Sequence, residues 1–597
     1  MPEEITRAKH GDQPEDFRMP EDAEPETLEA LPEQEEFWRP PVRFGSIPVE
    51  KEPLGWDRKK GFEKLFPRVK LPFQIVERVS FGNRELEPNR LIWGDNLHVM
   101  RQLPSESIDL IYIDPPFFSG RQYNIIFGDQ NEVRSFSDIW EGGMPGYLIW
   151  LNARLYEMKR LLKKTGSIYV HCDWHASHYI KVEMDKIFGY ENLINEVIWY
   201  YRSGGGSKRH FGRKHDTLLF YAKDKSRYLF YPDAVRVPYD AVIADSRKHL
   251  FNVQGKVSPD VWDISRPPNH SKEWLGYPTQ KPEALIERVI QSATKEGDVV
   301  ADFFCGGGTT PAVAQRLGRR WIACDQSRVA VAVTADRLIR GAQQLTTDLQ
   351  IPDFTIEYWG VYEARRLTRM PAEQFREFIL RCFGARPSEE HANIHGYKGV
   401  VPVWVGSPQA DQPVTPQEVL AFANAVRRTP RYQQGSLREG IMLAWAFSPE
   451  ARDAAEKLRS QEQVNVNFIR LDLIRIDSPQ FRRHVAELST DHADYENFLT
   501  FVQPPRVEVG YQRIAPLTYK FDVSDTVVVN PNAKILNVQW DFDYDGRHFR
   551  STQGYALAKA SEPVVYKFPR PGVYTIACKV QDDKGGEGVW VGEVKVE

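Results

Sequence analysis

The sequence predicts an α/β fold built on a mostly parallel, doubly wound sheet, followed by a smaller α/β domain and an all-β sandwich. Three observations predict it. From residue 86 to about 345, short apolar runs alternate with amphipathic helical stretches, the pattern of a parallel sheet covered on both faces. The apolar runs end in GD (94–95), DPPF (114–117), HCD (171–173), DFFCGGG (302–308) and CDQS (324–327), and ligands of such sheets sit at the carboxyl ends of strands. From about 505, short strands and turn residues take over, as in TVVVNPNAKILNVQWDFDYDG, the signature of antiparallel β structure.

In chain order, LIWGD (91–95) reads as a strand, NLHVMRQLP as an amphipathic helix and IDLIYIDPPF (108–117) as a buried strand. WLNARLYEMKRLLKKTG (150–166) is a strong helix that its glycine should end, followed by the strand SIYVHCD. INEVIWYY (194–201) and DTLLFYAKD (216–224) are two further strands. PEALIERVIQSATKEG (282–297) is a helix with Pro in its first turn and Gly at its end. VVADFFCGGGTT (299–310) runs from strand into glycine loop, PAVAQRLG is helical, RRWIACDQS (319–327) is a strand and RVAVAVTADRLI (328–339) a helix.

The 597 residues exceed one hydrophobic core and suggest three or four domains. A hydrophobic fraction of 41% with 27% charged residues is that of a soluble globular protein. No apolar run approaches the roughly 20 residues needed to cross a bilayer. The opening MPEEITRAKHGDQPED lacks the basic and apolar regions of a secretory signal. Five scattered cysteines without a CxxC pair predict reduced thiols in a cytoplasmic protein, with no metal site. The net charge of −4 hides an asymmetry. Residues 1–41 hold thirteen Asp and Glu against four Lys and Arg, so the remainder is net positive. With seven prolines this stretch is expected to be a disordered arm. A short extension, 42–85, follows.

Two consecutive prolines after a buried strand end it abruptly and make a stiff turn without N–H donors. Asp114-Pro115-Pro116-Phe117 would thus present a carboxylate, backbone carbonyls and an aromatic ring at a strand mouth. Methylation of an exocyclic amine needs those groups: acceptors that hold the NH2, and a flat apolar surface that clamps the base. The DFFCGGGTT stretch (302–310) lets the chain turn tightly and approach a ligand closely. It is no phosphate loop, because no GK[ST] follows. Fifteen residues after Thr310, Asp325 closes the next strand, where a carboxylate can accept both ribose hydroxyls of a nucleoside. In GYPTQKP (276–282), Gln280 and Lys281 are placed to donate near a cofactor carboxylate.

The order GD, DPPF, GYPTQKP and then Phe304-Cys305-Gly306-Gly307-Gly308 resembles the permuted, β-type DNA amino-methyltransferases, particularly the modification subunits of type III restriction systems. The resemblance runs over roughly 86–340. It implies a Rossmann-like methyltransferase domain at 86–345, S-adenosylmethionine as cofactor, double-stranded DNA as partner, a flipped base and direct transfer without a covalent intermediate. Asp114 and the Pro115 carbonyl would accept from the target amine, and Phe117 would stack on the base. Asp302, Phe304, Gly306 and Gly308 would cradle the cofactor, Asp325 would hold its ribose, and Asp95 would face its adenine or methionine end. Tyr123 and Asn124 would shape the base pocket. Asp before Pro-Pro favours adenine N6, with cytosine N4 as the alternative. RNA or protein amides, or a non-catalytic scaffold, are the more distant alternatives. A homodimer and restriction or defence subunits are the implied partners, with no membrane.

Between the motifs, residues 202–227 carry eight Lys and Arg against two Asp, with three consecutive glycines. Arg202, Lys208, Arg209, Arg213 and Lys214 are candidates for phosphate contact, ahead of a short recognition region at 225–275. Residues 350–495 resemble a nuclease-like α/β domain whose strand VPVWVG lacks the acid and Lys of active members, so no cutting is expected. Residues 505–597 resemble a PKD-type β-sandwich (WDFDYDG and PGVYTIACKVQDDKGG), a module for interactions.

Overall fold

The protein is described as a computed structural model covering residues 52–56, 66, 68–83, 85–116, 143–202, 208–239, 252–267, 271, 273–275, 277, 279–344, 350–460, 468–484, 499–552 and 562–597. The acidic arm, Phe117, Tyr123 and Asn124 lie outside these residues.

A ten-stranded sheet organises the molecule. Its first six strands are β1 (Gln74–Val79), β2 (Asn89–Trp93), β3 (Ile108–Ile113), β4 (Leu162–Cys172), β5 (Leu193–Tyr200) and β6 (His215–Ala222). A small two-stranded ribbon, β7 (Arg236–Val237) and β8 (Lys256–Val257), stands apart. The sheet resumes with β9 (Val261–Asp263), β10 (Val299–Asp302), β11 (Arg320–Asp325) and β12 (Phe354–Tyr358). Their order is β1-β12-β2-β11-β10-β3-β4-β6-β5-β9. The pairings from β12 across to β4 are all parallel, while β1, and β6 against both its neighbours, pair antiparallel. All six residues of β3 are buried, as a strand covered on both faces requires. Among the described residues, the helices between this sheet's strands are α1 (Asn96–Met100), α2 (Gly143–Leu161), α3 (Ser177–Phe188), α4 (Glu283–Ala293), α5 (Thr309–Arg316) and α6 (Arg328–Gln344).

Two features differ from the sequence reading. Helix α2 begins at Gly143 and ends at Leu161, and β4 starts at the next residue, so Gly166 lies inside a strand and does not end the helix. Its glycine serves a close approach: a Cβ there would stand 2.8 Å from the Asp109 carbonyl oxygen. The sheet also reaches beyond 86–345, since β1 precedes that span and β12, paired in parallel with β2, follows it.

Residues 386–475 form a second, five-stranded sheet whose last three strands are parallel. Its apolar residues Val403, Val405 and Leu443 belong to the same continuous core as Trp93 and Ile111. Residues 510–596 form two three-stranded antiparallel sheets around Phe521, Trp540, Phe542 and Phe568. Among the described residues no helix is long and apolar enough to cross a membrane.

Candidate active site

Four spatially adjacent parallel strands, β2, β11, β10 and β3, end in or just before an aspartate: Asp95, Asp325, Asp302 and Asp114. The chain passes from β3 to β4 on one side and from β10 to β11 on the other. The boundary between β10 and β3 is therefore the switch point where ligands of open α/β sheets sit. Asp302 and Asp114 flank it. Motifs separated by almost 190 residues meet because β10 inserts beside β3.

Asp114 follows β3 directly, and Pro115 and Pro116 stop the strand there. Its Oδ2 accepts a hydrogen bond from Nζ of Lys281 within an ion pair whose side chains are 19% and 10% exposed. Lys281 Nζ also donates to the Thr279 carbonyl at 3.3 Å. The other carboxylate oxygen, Oδ1, is buried without a hydrogen-bond partner among the described residues. A buried orphan acceptor is costly unless something supplies a donor. Lys281 thus contacts the Asp114 carboxylate. Gln280 turns back on its own loop: its Oε1 accepts from the Leu275 N–H at 3.0 Å and its Nε2 donates to the Glu273 carbonyl at 2.7 Å.

The glycine loop links β10 to α5. Asp302 is buried; its Oδ1 accepts from the Phe304 N–H at 3.0 Å and its Oδ2 from the Thr310 hydroxyl at 2.6 Å. Burial, reinforced by the charges of Asp114 and Asp325, pushes its carboxyl up to about 7. Gly306 and Gly308 have φ of +47° and +73°, the left-handed region in which other residues are strained. A Cβ on Gly308 would stand 2.6 Å from the Thr334 side chain, and one on Gly307 3.0 Å from the Tyr277 ring. Thr334 donates to the Gly306 carbonyl at 2.9 Å, and Arg337 to the Gly307 carbonyl at 3.2 Å. Asp325 Oδ2 accepts from the Gly306 N–H and its Oδ1 from the Ser327 N–H, both at 2.8 Å; burial raises its carboxyl pKa.

Asp95 caps α1 by accepting from the Leu97 N–H at 2.8 Å. It also pairs with Arg154 of α2 at 3.1 Å. Burial opposes ionisation of Asp95, but the charges of Arg154 and His98 and the N–H groups of Leu97 and His98 together outweigh it and lower the pKa. Arg154 further donates to the Asn96 side chain at 2.6 Å and lies over the Trp150 ring, which packs on Phe304 with centroids 5.7 Å apart. Asn96 donates to the Phe303 carbonyl at 2.8 Å. The GD motif and the glycine loop are thereby tied together through α2. Arg154, Asn96, Trp150, Tyr277 and Thr334 were missed from sequence. The one available signal was a charged Arg154 four residues after Trp150, on the apolar face of a helix.

Of the five basic candidates, Arg202 forms an ion pair with Asp263 at 2.6 Å and Arg213 stacks on Trp174. Lys208 and Arg209 are exposed, and Lys214 donates to the Arg202 carbonyl at 3.3 Å. The turn that carries them joins β5 to β6, and thus opens at the same sheet edge as Asp114.

Residues 108–336 match the N6/N4 methyltransferase family described as DNA methylase. The chain is 33% identical over 254 residues to the DNA adenine methyltransferase YhdJ of Escherichia coli (strain K12), covering 41% of this chain and 80% of the relative. It is 32% identical over 250 residues to the type II methyltransferase M.HpaI of Haemophilus parainfluenzae, covering 42% of this chain and 74% of the relative. Among solved structures it is similar to the PvuII DNA methyltransferase (cytosine-N4-specific), at 19% identity and a TM-score of 0.34, over 46% of this chain and 92% of that one.

Proposed function

The chain belongs to the N6/N4 DNA methylase family, and we propose that it transfers a methyl group from S-adenosylmethionine to the N6 amino group of adenine in double-stranded DNA, the base being flipped out of the helix. The observation that carries this reading is the orphan Oδ1 of Asp114, buried at the strand mouth beside the glycine loop. An exocyclic amine supplies the donor that this oxygen lacks.

The residues present fit the cofactor. Gly306 and Gly308 make a tight left-handed turn whose Cβ positions are already taken by Tyr277 and Thr334, so this cradle can be built only from glycine. Phe304, Asp325 and the partly exposed Asp95 surround the cradle from three adjacent strands. These residues would hold S-adenosylmethionine, which supplies an electrophilic methyl group when bound. Asp114 Oδ1 and the Pro115 carbonyl accept the amine's N–H bonds and concentrate electron density on its nitrogen. Lys281 fixes the other carboxylate oxygen and so aims Oδ1. Phe117, Tyr123 and Asn124 lie outside the described residues; in this reading Phe117 stacks on the base, and Tyr123 and Asn124 shape its pocket. Gln280 shapes the loop that presents Lys281. All five cysteines are buried, and burial raises the thiols of Cys172, Cys305 and Cys324. Direct transfer fits such unreactive thiols better than a covalent cysteine adduct.

Adenine is favoured by Asp before Pro-Pro and by the relative named as an adenine methyltransferase. The setting is restriction-modification or phage defence, in the manner of type III modification subunits, with a cytoplasmic homodimer as the working form. Residues 350–495 act as a nuclease-like domain without cutting activity, since the strand Val401–Val405 carries neither acid nor Lys. The PKD-like sandwich at 505–597 serves interactions.

The test is to incubate the chain with duplex DNA and isotope-labelled S-adenosylmethionine, then digest the DNA to nucleosides. Label in N6-methyldeoxyadenosine, lost in Asp114→Ala, is the expected result. N4-methyldeoxycytidine would reassign the base. Unlabelled DNA, or an unaffected Asp114→Ala, would refute the proposal.

A further inference from the structure

Two aromatic side chains at the same sheet edge as Asp114 have no role in the site described so far. Trp174 follows β4 and is 45% exposed. It is braced on its neighbours. The Arg213 guanidinium lies 3.8 Å from its ring centroid, and the His175 ring lies 3.7 Å away. His175 is held in turn by Asp173, whose Oδ2 contacts its Nδ1 at 2.5 Å and whose Oδ1 accepts its backbone N–H at 3.1 Å. The second aromatic, Phe211, is 97% exposed. It stands in Lys208-Arg209-His210-Phe211-Gly212-Arg213-Lys214, a segment with four cations and no acid. The Tyr201 N–H donates to the Lys214 carbonyl at 2.9 Å and closes the base of this segment.

Topology fixes where these rings stand relative to the chemistry. Strand β4 runs parallel to β3, with Val170 opposite Ile113, and antiparallel to β6, with Cys172 opposite Thr217. Trp174, the 208–214 segment and Asp114 therefore share one edge. A surface meant only for phosphates needs cations alone. Here Arg213 is stacked on Trp174, and the most exposed aromatic of the described chain is set among cations that attract a polyanion. Exposed aromatic rings with cationic neighbours are the equipment of base stacking.

We propose that Phe211 and Trp174 form a stacking element that enters the duplex: Phe211 fills the gap left by the extruded nucleotide, and Trp174 is a platform for an adjacent base. This rests on the DNA-methylation reading above. Unstacking and unpairing a base cost free energy, and a wedge that occupies the vacated space offsets that cost. The element should therefore matter where the target base is paired and much less where it is already unpaired.

The experiment compares the full chain with Phe211→Ala, Trp174→Ala and Trp174→Tyr on two duplexes containing the target site found by sequencing modified DNA. In one the target is correctly paired, and in the other it faces a mismatch. On the paired duplex both alanine variants should lose roughly tenfold or more in kcat/KM, the size expected for one lost base–aromatic stack. On the mismatched duplex most of that loss should vanish, and Trp174→Tyr should stay near wild type on both. Equal losses on the two duplexes would indicate simple phosphate contact or damage to the fold and would overturn the proposal, as would no loss on either. A wild-type chain inert on both duplexes overturns the methylation reading and this one together, and is distinguished by the absence of any wild-type signal.

Discussion

Arg328 and Glu587, 259 residues apart in the chain, form an ion pair of 2.7 Å with side chains only 5% and 13% exposed. The pair joins the first turn of α6, directly after the strand that ends in Asp325, to the last strand of the C-terminal three-stranded sheets. Burial alone would raise the Glu587 pKa, but the charges of Arg328 and Lys579 outweigh it and hold the carboxyl at about 2. The contact continues around it. Gly585 sits on Trp93, where an added Cβ would fall 2.1 Å from the ring, and Asp336 accepts from the Ser551 N–H at 3.1 Å. These C-terminal sheets are thus packed against the strands that carry the site.

Glu587→Gln should therefore destabilise the protein by about 3 kcal/mol, because it removes the main countercharge of a buried guanidinium. Replacing both partners, as in Arg328→Met with Glu587→Leu, should recover much of that loss. Chemical denaturation of the single and double variants checks this, and a single variant as stable as wild type would show that the pair contributes nothing. The sign with pH follows from the depressed pKa. The pair's contribution is present above the unfolded value of 4.5 and lost as pH falls toward about 2.

Gly308→Ala should weaken cofactor binding at least tenfold. The residue has φ of +73°, and its Cβ would stand 2.6 Å from Thr334. Thr334 would have to move, breaking its bond to the Gly306 carbonyl, so backbone strain and overlap act on the same loop. Titration of S-adenosylmethionine by calorimetry gives the change directly. Gly297→Ala, a left-handed glycine away from the loop with open space around it, should leave that affinity intact.

The strand ends and the glycine loop were legible in the sequence because both are local: an apolar run that stops at Asp-Pro-Pro or at three glycines states its geometry within ten residues. The partner of Asp114 was not legible. The sequence places Lys281 near a cofactor carboxylate, and only the insertion of β10 beside β3 brings the helix entrance of α4 to Asp114. The sequence pattern carries helix α2 five residues past its end at Leu161, to Gly166, because Leu162-Lys163-Lys164 suits a helix. Pairing of Leu162 with Ile108 of β3 overrides that preference and draws these residues into β4. Strands β1 and β12 escaped for a related reason. Their pairing is a relation between segments about 280 residues apart, and no local pattern encodes it.

Lys281→Met should reduce kcat by about a hundredfold, the loss typical of removing one preorganised group at a reacting centre, while cofactor affinity changes little. Without its ammonium group the Asp114 carboxylate loses the contact that orients it. Lys281→Arg keeps the charge with different geometry and should retain an intermediate rate. Single-turnover methylation, read beside cofactor binding, separates this from a folding defect. A drop in affinity with unchanged kcat would place Lys281 at the cofactor instead.

Asp302 should make stability depend on pH in the direction opposite to Glu587. Its carboxyl lies under Phe304 and Thr310, and burial pushes its pKa from 3.8 up to about 7. The native state therefore holds this proton over a range in which the unfolded chain releases it. Below pH 3.8 the contribution to stability is fully present, and it is lost as pH rises through about 7. Asp302→Asn imitates the protonated form. Its amide oxygen can still accept from the Phe304 N–H, and the Thr310 hydroxyl can rotate to accept from the amide nitrogen. The variant should melt at a temperature that changes less than wild type between about pH 5 and pH 8, and the gap between them should widen in its favour on the alkaline side. Thermal melts across that range decide the matter. Parallel curves would mean that Asp302 is ionised throughout, and that its two donors outweigh the cost of burial.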